Sequence, residues 1–191
     1  MNKEPKIMWG EGTPWKTQAE VYTYIRGCLR RAWMVHPNKI KKLNAARFKV
    51  DRLDKDGNVM LDKKTGKPKQ IWNCTCDICG HTGKMADFQV DHIYPAKALT
   101  CYEDVPEFVL RLLYVKEEDL RILCKQCNAI HAYADKHSIS FEEAKAEKEA
   151  IELCRTKKDK TWLTQRGIIP ESTIAKRRKQ IVSALLTLPE R

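Results

Sequence analysis

The stretch LCKQCNAIH, Leu123–His131, places two cysteines, an asparagine and a histidine within the eight residues that begin at Cys124. Its first half is a Cys-x-x-Cys pair. A second pair, CDIC, stands at Cys76–Cys79 and is followed by Gly80, which suits a tight turn. Each pair offers two thiolates to one ion, and four sulfurs in a tetrahedron suit zinc. The spacing predicts a structural zinc site of Cys76, Cys79, Cys124 and Cys127. The pairs are 44 residues apart, so the chain between them must build structure of its own and return to the first knuckle. Cys74 is an alternative to Cys76, but only Cys76 has the x-x spacing to Cys79. Neither pair has the strand-to-helix setting of a thioredoxin-like redox motif. Cys28 and Cys154 fall on apolar helix faces and read as core residues.

Inside and after the clip lie residues able to do chemistry. Asp91 and His92 close a short alternating run, DFQVDHI (87–93), that reads as a strand. Asn128 and His131 follow the second pair on a helix expected to begin right after Cys127, and their spacing puts them on one face. A closed zinc clip would bring these four residues together. Carboxylate and amide oxygens suit a hard cation such as Mg2+ or Mn2+, and an imidazole widens the choice of ion. A histidine beside such an ion can act as a general base toward water. Taken singly, each has a plainer role: Asn128 a helix cap, His131 a surface histidine, His92 a strand residue, Asp91 a turn former.

Charge is unevenly distributed along the 191 residues, whose formal sum is +11. Residues 1–70 carry 17 Lys/Arg against 7 Asp/Glu, residues 71–154 carry 9 against 15, and residues 155–191 carry 10 against 3. An acidic middle between basic flanks points to a polyanionic partner, with counterion release driving the affinity. Apolar residues make up 42% of the chain, enough for a folded core, and no run is long enough to span a membrane. The start, MNKEPKIMWGEGTPW, has no signal-peptide stretch. The expectation is a cytoplasmic protein with reduced cysteines.

Thr17-Gln18-Ala19-Glu20 resembles a capping box and opens a helix whose apolar stripe is Val21, Tyr24, Ile25, Cys28, Leu29 and Ala32, ending before the HPN of residues 36–38. Residues 47–73 read as a β-hairpin or meander with turns at Asp54–Gly57 and Thr65–Pro68. Asp104 is expected to cap a helix through EFVLRLLYV, DLRIL (119–123) to form a second strand, and Ser140 to cap a helix running to about Cys154. The tail reads as helix, Gly/Pro break, helix. Its last helix has Ile174, Ile181, Leu185 and Leu188 as the apolar face, with Lys176, Arg177, Arg178 and Lys179 in its first turns. This helix either packs on the core or belongs to a helix-turn-helix reader.

The pattern CDIC (76–79), VDHIYP (90–95) and EDLRILCKQCNAIH (118–131) resembles the HNH endonuclease family in its cysteine-bearing ββα-metal form, across about residues 74–137. LRRAW (29–33) and the YEDVPEFVLRLLYV insertion (102–115) are similar to small phage-encoded HNH nucleases. The resemblance implies an α+β fold. Residues 71–137 would form the HNH nuclease core with its zinc-knuckle pair, residues 1–70 a basic N-terminal helix and β-hairpin, and residues 138–191 a helical extension. It implies a metal-dependent DNA endonuclease with His92 as general base, Asp91 and Asn128 holding the divalent cation, and His131 as a further ligand. Double-stranded DNA would be the substrate. A single site would nick, and a double-strand break would need a homodimer or two visits. Homing, restriction, junction resolution and DNA packaging beside a terminase or another phage protein all fit. The family usually has asparagine where this chain has Asp119; a carboxylate accepts but cannot donate, so the brace on the histidine loop would differ. The alternative is a non-catalytic, zinc-stabilised nucleic-acid-binding module. RNA as substrate finds no stacking platform in the sequence.

Overall fold

The computed structural model describes residues 9–187 and is α+β. The N-terminal MNKEPKIM and Leu188 of the tail lie outside the described residues. The chain divides after Cys124 into two compact units, Met1–Cys124 and Lys125–Arg191.

The first unit opens with α1 (Gln18–Met34), capped as its sequence suggests: the Glu20 amide donates to Thr17 Oγ1 at 3.3 Å. The return bond of the box is shifted by one residue, since the Glu20 carboxylate accepts from the Lys16 amide. The buried stripe is rotated from the expected one. Tyr22, Ile25, Leu29 and Trp33 pack with Leu99, Phe108 and Leu112, whereas Tyr24 is 55% exposed and Ala32 is exposed. The rotation follows α3 (Asp104–Leu113), whose Phe108 and Leu112 supply the opposing surface. Glu103, not Asp104, is the cap residue of α3; the Asp104 carboxylate turns back to accept from the Thr100 hydroxyl and amide and the Cys101 amide. A second helix, α2 (Pro37–Ala46), starts within the HPN, where the sequence pattern predicts only an end to the helical region. Proline at the first helical position explains it, because the missing N–H is one that no helix start can pair.

Residues 48–75 form a meander. β1 (Phe48–Asp51) pairs antiparallel with β2 (Gln70–Thr75), and β2 with β3 (Thr82–Lys84). The excursion between β1 and β2 folds into two tight hairpins bridged at Leu53–Val59 and Leu61–Pro68. Asp54 and Asp62 close their turns by accepting from the amides of Asp56, Asn58, Lys64 and Thr65. These bonds hold both carboxyls below the usual range. β4 (Phe88–His92) and β5 (Leu120–Cys124) make a separate antiparallel pair, with Phe88 opposite Cys124, Asp91 opposite Arg121 and His92 opposite Leu120.

The second unit is helical: α4 (Lys125–His137), α5 (Phe141–Arg155), α6 (Asp159–Thr164) and α7 (Ile174–Thr187). Ser140 and Glu143 form a reciprocal capping box at α5. Ile130, Ala134 and Ala144 make one core; Ala150, Leu163 and Ile181 make another, with the half-buried Cys154 against it. The last helix packs on the core through Ile181 and Leu185, one of its two sequence readings, but its basic start is partly turned inward. Arg177 is buried, donating to Asp159 at 2.6 Å and to the carbonyls of Glu171 and Ser172. Arg178 donates to the Glu147 carboxylate and the Tyr133 hydroxyl. Two of the four cations in the first turns of this helix are therefore engaged inside the unit. Ile174, assigned to the apolar face, is 60% exposed.

Candidate metal centre

The four cysteines selected by spacing are the four that the fold gathers. The sulfurs of Cys76, Cys79, Cys124 and Cys127 all lie within 4.8 Å of one another. A zinc–sulfur bond of about 2.3 Å places the corners of its tetrahedron about 3.8 Å apart. The Cys79 and Cys124 sulfurs are separated by 3.8 Å. The donor set fits a structural metal such as zinc. Cys74 is fully buried and stands outside the group, with burial pushing its thiol pKa up.

Local structure explains how the donors converge. In the first knuckle the Cys76 amide donates to the His81 carbonyl and the Gly80 amide to the Cys76 carbonyl. Gly80 has φ +68°, the left-handed region where a side chain is disfavoured. Asp77 ties this knuckle to β5 twice: its amide donates to the Ile122 carbonyl at 2.8 Å, and its carboxylate accepts from the Ile122 amide at 2.7 Å. In the second pair, Cys124 ends β5 and Cys127 lies within the first turn of α4, which begins at Lys125 rather than after Cys127, so this pair, unlike its sequence reading, stands at a strand-to-helix junction. Three residues of helix bring the second thiol back to the same side as the first. Burial pushes the Cys76 thiol up. The amides of Cys79, Cys124 and Ile78 and the Cys79 thiol outweigh it and lower the pKa to about 6, toward the thiolate a metal binds.

Asp91 and His92 are neighbours on β4, and strand alternation sends their side chains to opposite faces. Asp91 meets its cross-strand partner Arg121, whose two nitrogens donate to Oδ2 at 2.9 and 3.2 Å. His92 is 8% exposed; its ring lies 4.1 Å from the Trp33 ring, and Nε2 is 3.1 Å from the Leu112 carbonyl oxygen. A carbonyl only accepts, so Nε2 carries the proton and Nδ1 is the accepting atom of a neutral ring. Burial is the main cause lowering the His92 pKa, which favours the same neutral form. Asn128 and His131 are half-buried on α4, with the His131 ring 4.7 Å from Phe141. Among the described residues, the four cysteines are the one group of three or more His, Cys, Asp or Glu ligands close enough to share an ion.

Several contributors are invisible to sequence patterning. Trp33 and Leu112 enclose His92, and His36 packs beside Trp33 at 5.3 Å with Nε2 on the Leu113 carbonyl. No motif links these positions; only packing of α1 on α3 does. Arg121 is recoverable, because aligning DFQVDH against LRILC places it opposite Asp91. Asp119 braces the chain after His92 through its backbone, whose carbonyl accepts from the Ile93 amide at 2.8 Å, while its side chain accepts from the Lys116 amide. The carboxylate thus meets one donor, and the bond to Ile93 uses a carbonyl that any residue here would supply.

No family model, no curated protein and no solved structure matches the chain. No helix among the described residues is long and apolar enough to cross a membrane.

Proposed function

We propose that the chain is a metal-dependent endonuclease of the HNH kind acting on double-stranded DNA. The observation that carries the reading is the state of His92. At the end of β4, the strand paired with the one that runs into the cysteine centre, the imidazole is anchored through Nε2 by a backbone carbonyl and left with Nδ1 as acceptor. A general base needs a neutral ring with one nitrogen left to accept, held in a fixed orientation. The run Leu120–His131 adds support, with β5, the cysteine pair and the start of α4 following without a break.

In this reading Asp91, Asn128 and His131 would hold a divalent cation, and their oxygen and nitrogen donors suit Mg2+ or Mn2+. Such an ion would supply charge stabilisation at the scissile phosphate and leaving oxygen. His92 removes a proton from the water as its oxygen bonds to phosphorus and the P–O3′ bond breaks; the leaving 3′-oxygen takes a proton from solvent, giving a 5′-phosphate and a 3′-hydroxyl. Arg121 is ion-paired with Asp91 at 2.9 Å. A homing or packaging-associated role in a phage, as a homodimer or beside a terminase, is compatible with this chemistry.

The second reading, a zinc-stabilised binding module without catalysis, draws on the burial of His92 and on the ion pair that engages Asp91. Incubation of supercoiled plasmid with Mg2+ or Mn2+ separates the two. Nicking by the wild type and none by His92→Ala, with DNA binding and zinc content retained, supports the nuclease. Equal cutting by both proteins refutes His92 as base. Binding without cutting, under any ion and on genomic as well as plasmid DNA, favours the module.

A further inference from the structure

The excursion between β1 and β2 is a built feature that the metal centre does not use. Its two hairpins are closed by side-chain bonds to Asp54 and Asp62, and Gly57 and Gly66 adopt φ of +85° and +66° at the turns. A turn fixed this way holds its neighbours in place. Yet the excursion buries almost nothing: residues 51–59 are all exposed, and Leu53 and Leu61 are 55% and 57% exposed. Two ordered hairpins without a core of their own suit a surface that meets a partner.

Charge identifies the partner's chemistry. Residues 47–70 contain eight Lys/Arg and four Asp/Glu. Two of those four carboxylates, Asp54 and Asp62, face inward to the turn amides. The cations face outward: Lys55 on the first hairpin and Lys63, Lys64 and Lys67 on the second are exposed. At the base of the excursion the Arg47 guanidinium lies 4.3 Å and the Lys49 ammonium 5.3 Å from the centre of the partly exposed Trp72 ring, opposite which Lys49 sits in the β-ladder. Cations thus run from the sheet to both hairpin tips. The tail offers less, since Arg177 and Arg178 are engaged internally.

We infer that the two-hairpin excursion is a docking surface for the phosphate backbone of duplex DNA, with Lys63, Lys64 and Lys67 as its main phosphate-binding side chains. The choice of DNA rests on the proposed nuclease reading; the site is separate from the residues assigned to chemistry. Phosphate binding of this type positions a protein without reading bases.

The test is equilibrium binding of the full chain to a fluorescein-labelled duplex, without added divalent cation, over a range of salt concentrations. Each phosphate that a variant no longer neutralises lowers the slope of log K against log salt by about 0.9. The triple variant Lys63→Ala, Lys64→Ala, Lys67→Ala should lose roughly 2.7 from the slope and bind about 500-fold more weakly near 0.1 M salt. Lys55→Ala, on the other hairpin, should lose about 0.9, which keeps the test decisive if the triple variant misfolds. Matched circular dichroism and zinc content verify the fold. Unchanged slopes overturn the inference, as does binding to anionic vesicles with none to duplex. If the wild type binds with the lysine-dependent slope but cuts nothing, the docking surface stands and the nuclease reading falls.

Discussion

Replacing Arg177 by alanine is the sharpest test of how α7 is used. By sequence Arg177 counts among the cations available to a polyanion, and the structure buries it. Its side chain is 8% exposed and that of Asp159 is 6% exposed, with Nε 2.6 Å from Oδ2. Arg177→Ala leaves a buried carboxylate without its partner, a change that typically costs about 3–5 kcal/mol. A ceiling exists on the charge part of that cost. Asp159 can instead take up a proton, which from an ordinary carboxylate value near 3.9 costs about 4 kcal/mol at pH 7. The carbonyls of Glu171 and Ser172 also lose a donor, but both residues are exposed and water replaces it. The expected loss is about 3–4 kcal/mol at pH 7, measured by urea unfolding followed by circular dichroism. The sign of the pH dependence adds a second check. In the wild type, burial raises the Asp159 pKa, but Arg177 and the amides of Lys160 and Asp159 together outweigh it and hold it low. That group's stability is therefore present above the ordinary carboxylate pKa and lost as pH falls through the lowered one. In the variant burial is opposed only by the amides of Lys160 and Asp159, so the Asp159 pKa rises relative to wild type and the deficit shrinks as pH falls through the raised value. The double variant Asp159→Asn, Arg177→Met should recover most of the loss. A stability within about 0.5 kcal/mol of wild type at pH 7, together with weakened DNA binding, would instead make Arg177 a phosphate ligand and refute the structural role.

Purified protein should contain one zinc per chain by elemental analysis, and Cys127→Ser should lose the metal and much of its cooperative unfolding, because structural zinc supplies folding free energy; a metal-free yet equally stable protein would count against the site. Leu163→Ala, at a fully buried position in the core of Ala150 and Ile181, should cost about 2–5 kcal/mol in denaturant unfolding. Thr17→Ala should cost about 1 kcal/mol and speed amide exchange in the first turn of α1, whose Glu20 amide it caps; unchanged exchange there would mean that the cap does not hold the helix start.

What the sequence reveals and conceals here has a physical basis. Spacing rules find features that are local along the chain. The cysteine pairs, the Ser140 box and the Asp54 turn all depend on residues two to four apart, so the pattern and the structure agree; the second turn, read at Thr65–Pro68, instead closes on Asp62, with Pro68 already bridged to Leu61. The α1 stripe depends on which face α3 presents, and so Tyr22 takes the place of Tyr24 in the core. The start of α2 is hidden because proline reads both as a helix stop and as a first helical residue. The inward turn of Arg177 cannot be found from charge counts at all, since it needs Asp159 on another helix. His92 is an intermediate case: its position is legible, but its anchoring carbonyl at Leu112 lies 20 residues away on an element that only the fold brings near.

β5 joins the two halves of the candidate site, and this governs how metal-removal experiments must be read. Over five residues it sets Leu120 opposite His92, Arg121 opposite Asp91, a two-bond link from Ile122 to the first knuckle, and Cys124 among the donors. Removing a metal held by the cysteines would free the end of this strand. A register slip of one residue would turn each side chain to the other face, separating Asp91 from Arg121 and withdrawing Leu120 from His92. Loss of cleavage on treatment with a strong chelator would therefore follow from the structural metal alone. It identifies no catalytic cation. A divalent requirement is demonstrated only when zinc is retained, as verified by elemental analysis, and activity still rises and falls with added Mg2+ or Mn2+. Zinc-loaded protein that cuts equally well without either ion would remove Asp91, Asn128 and His131 from the proposed role of cation ligands, while leaving the cysteine centre and the fold it supports untouched.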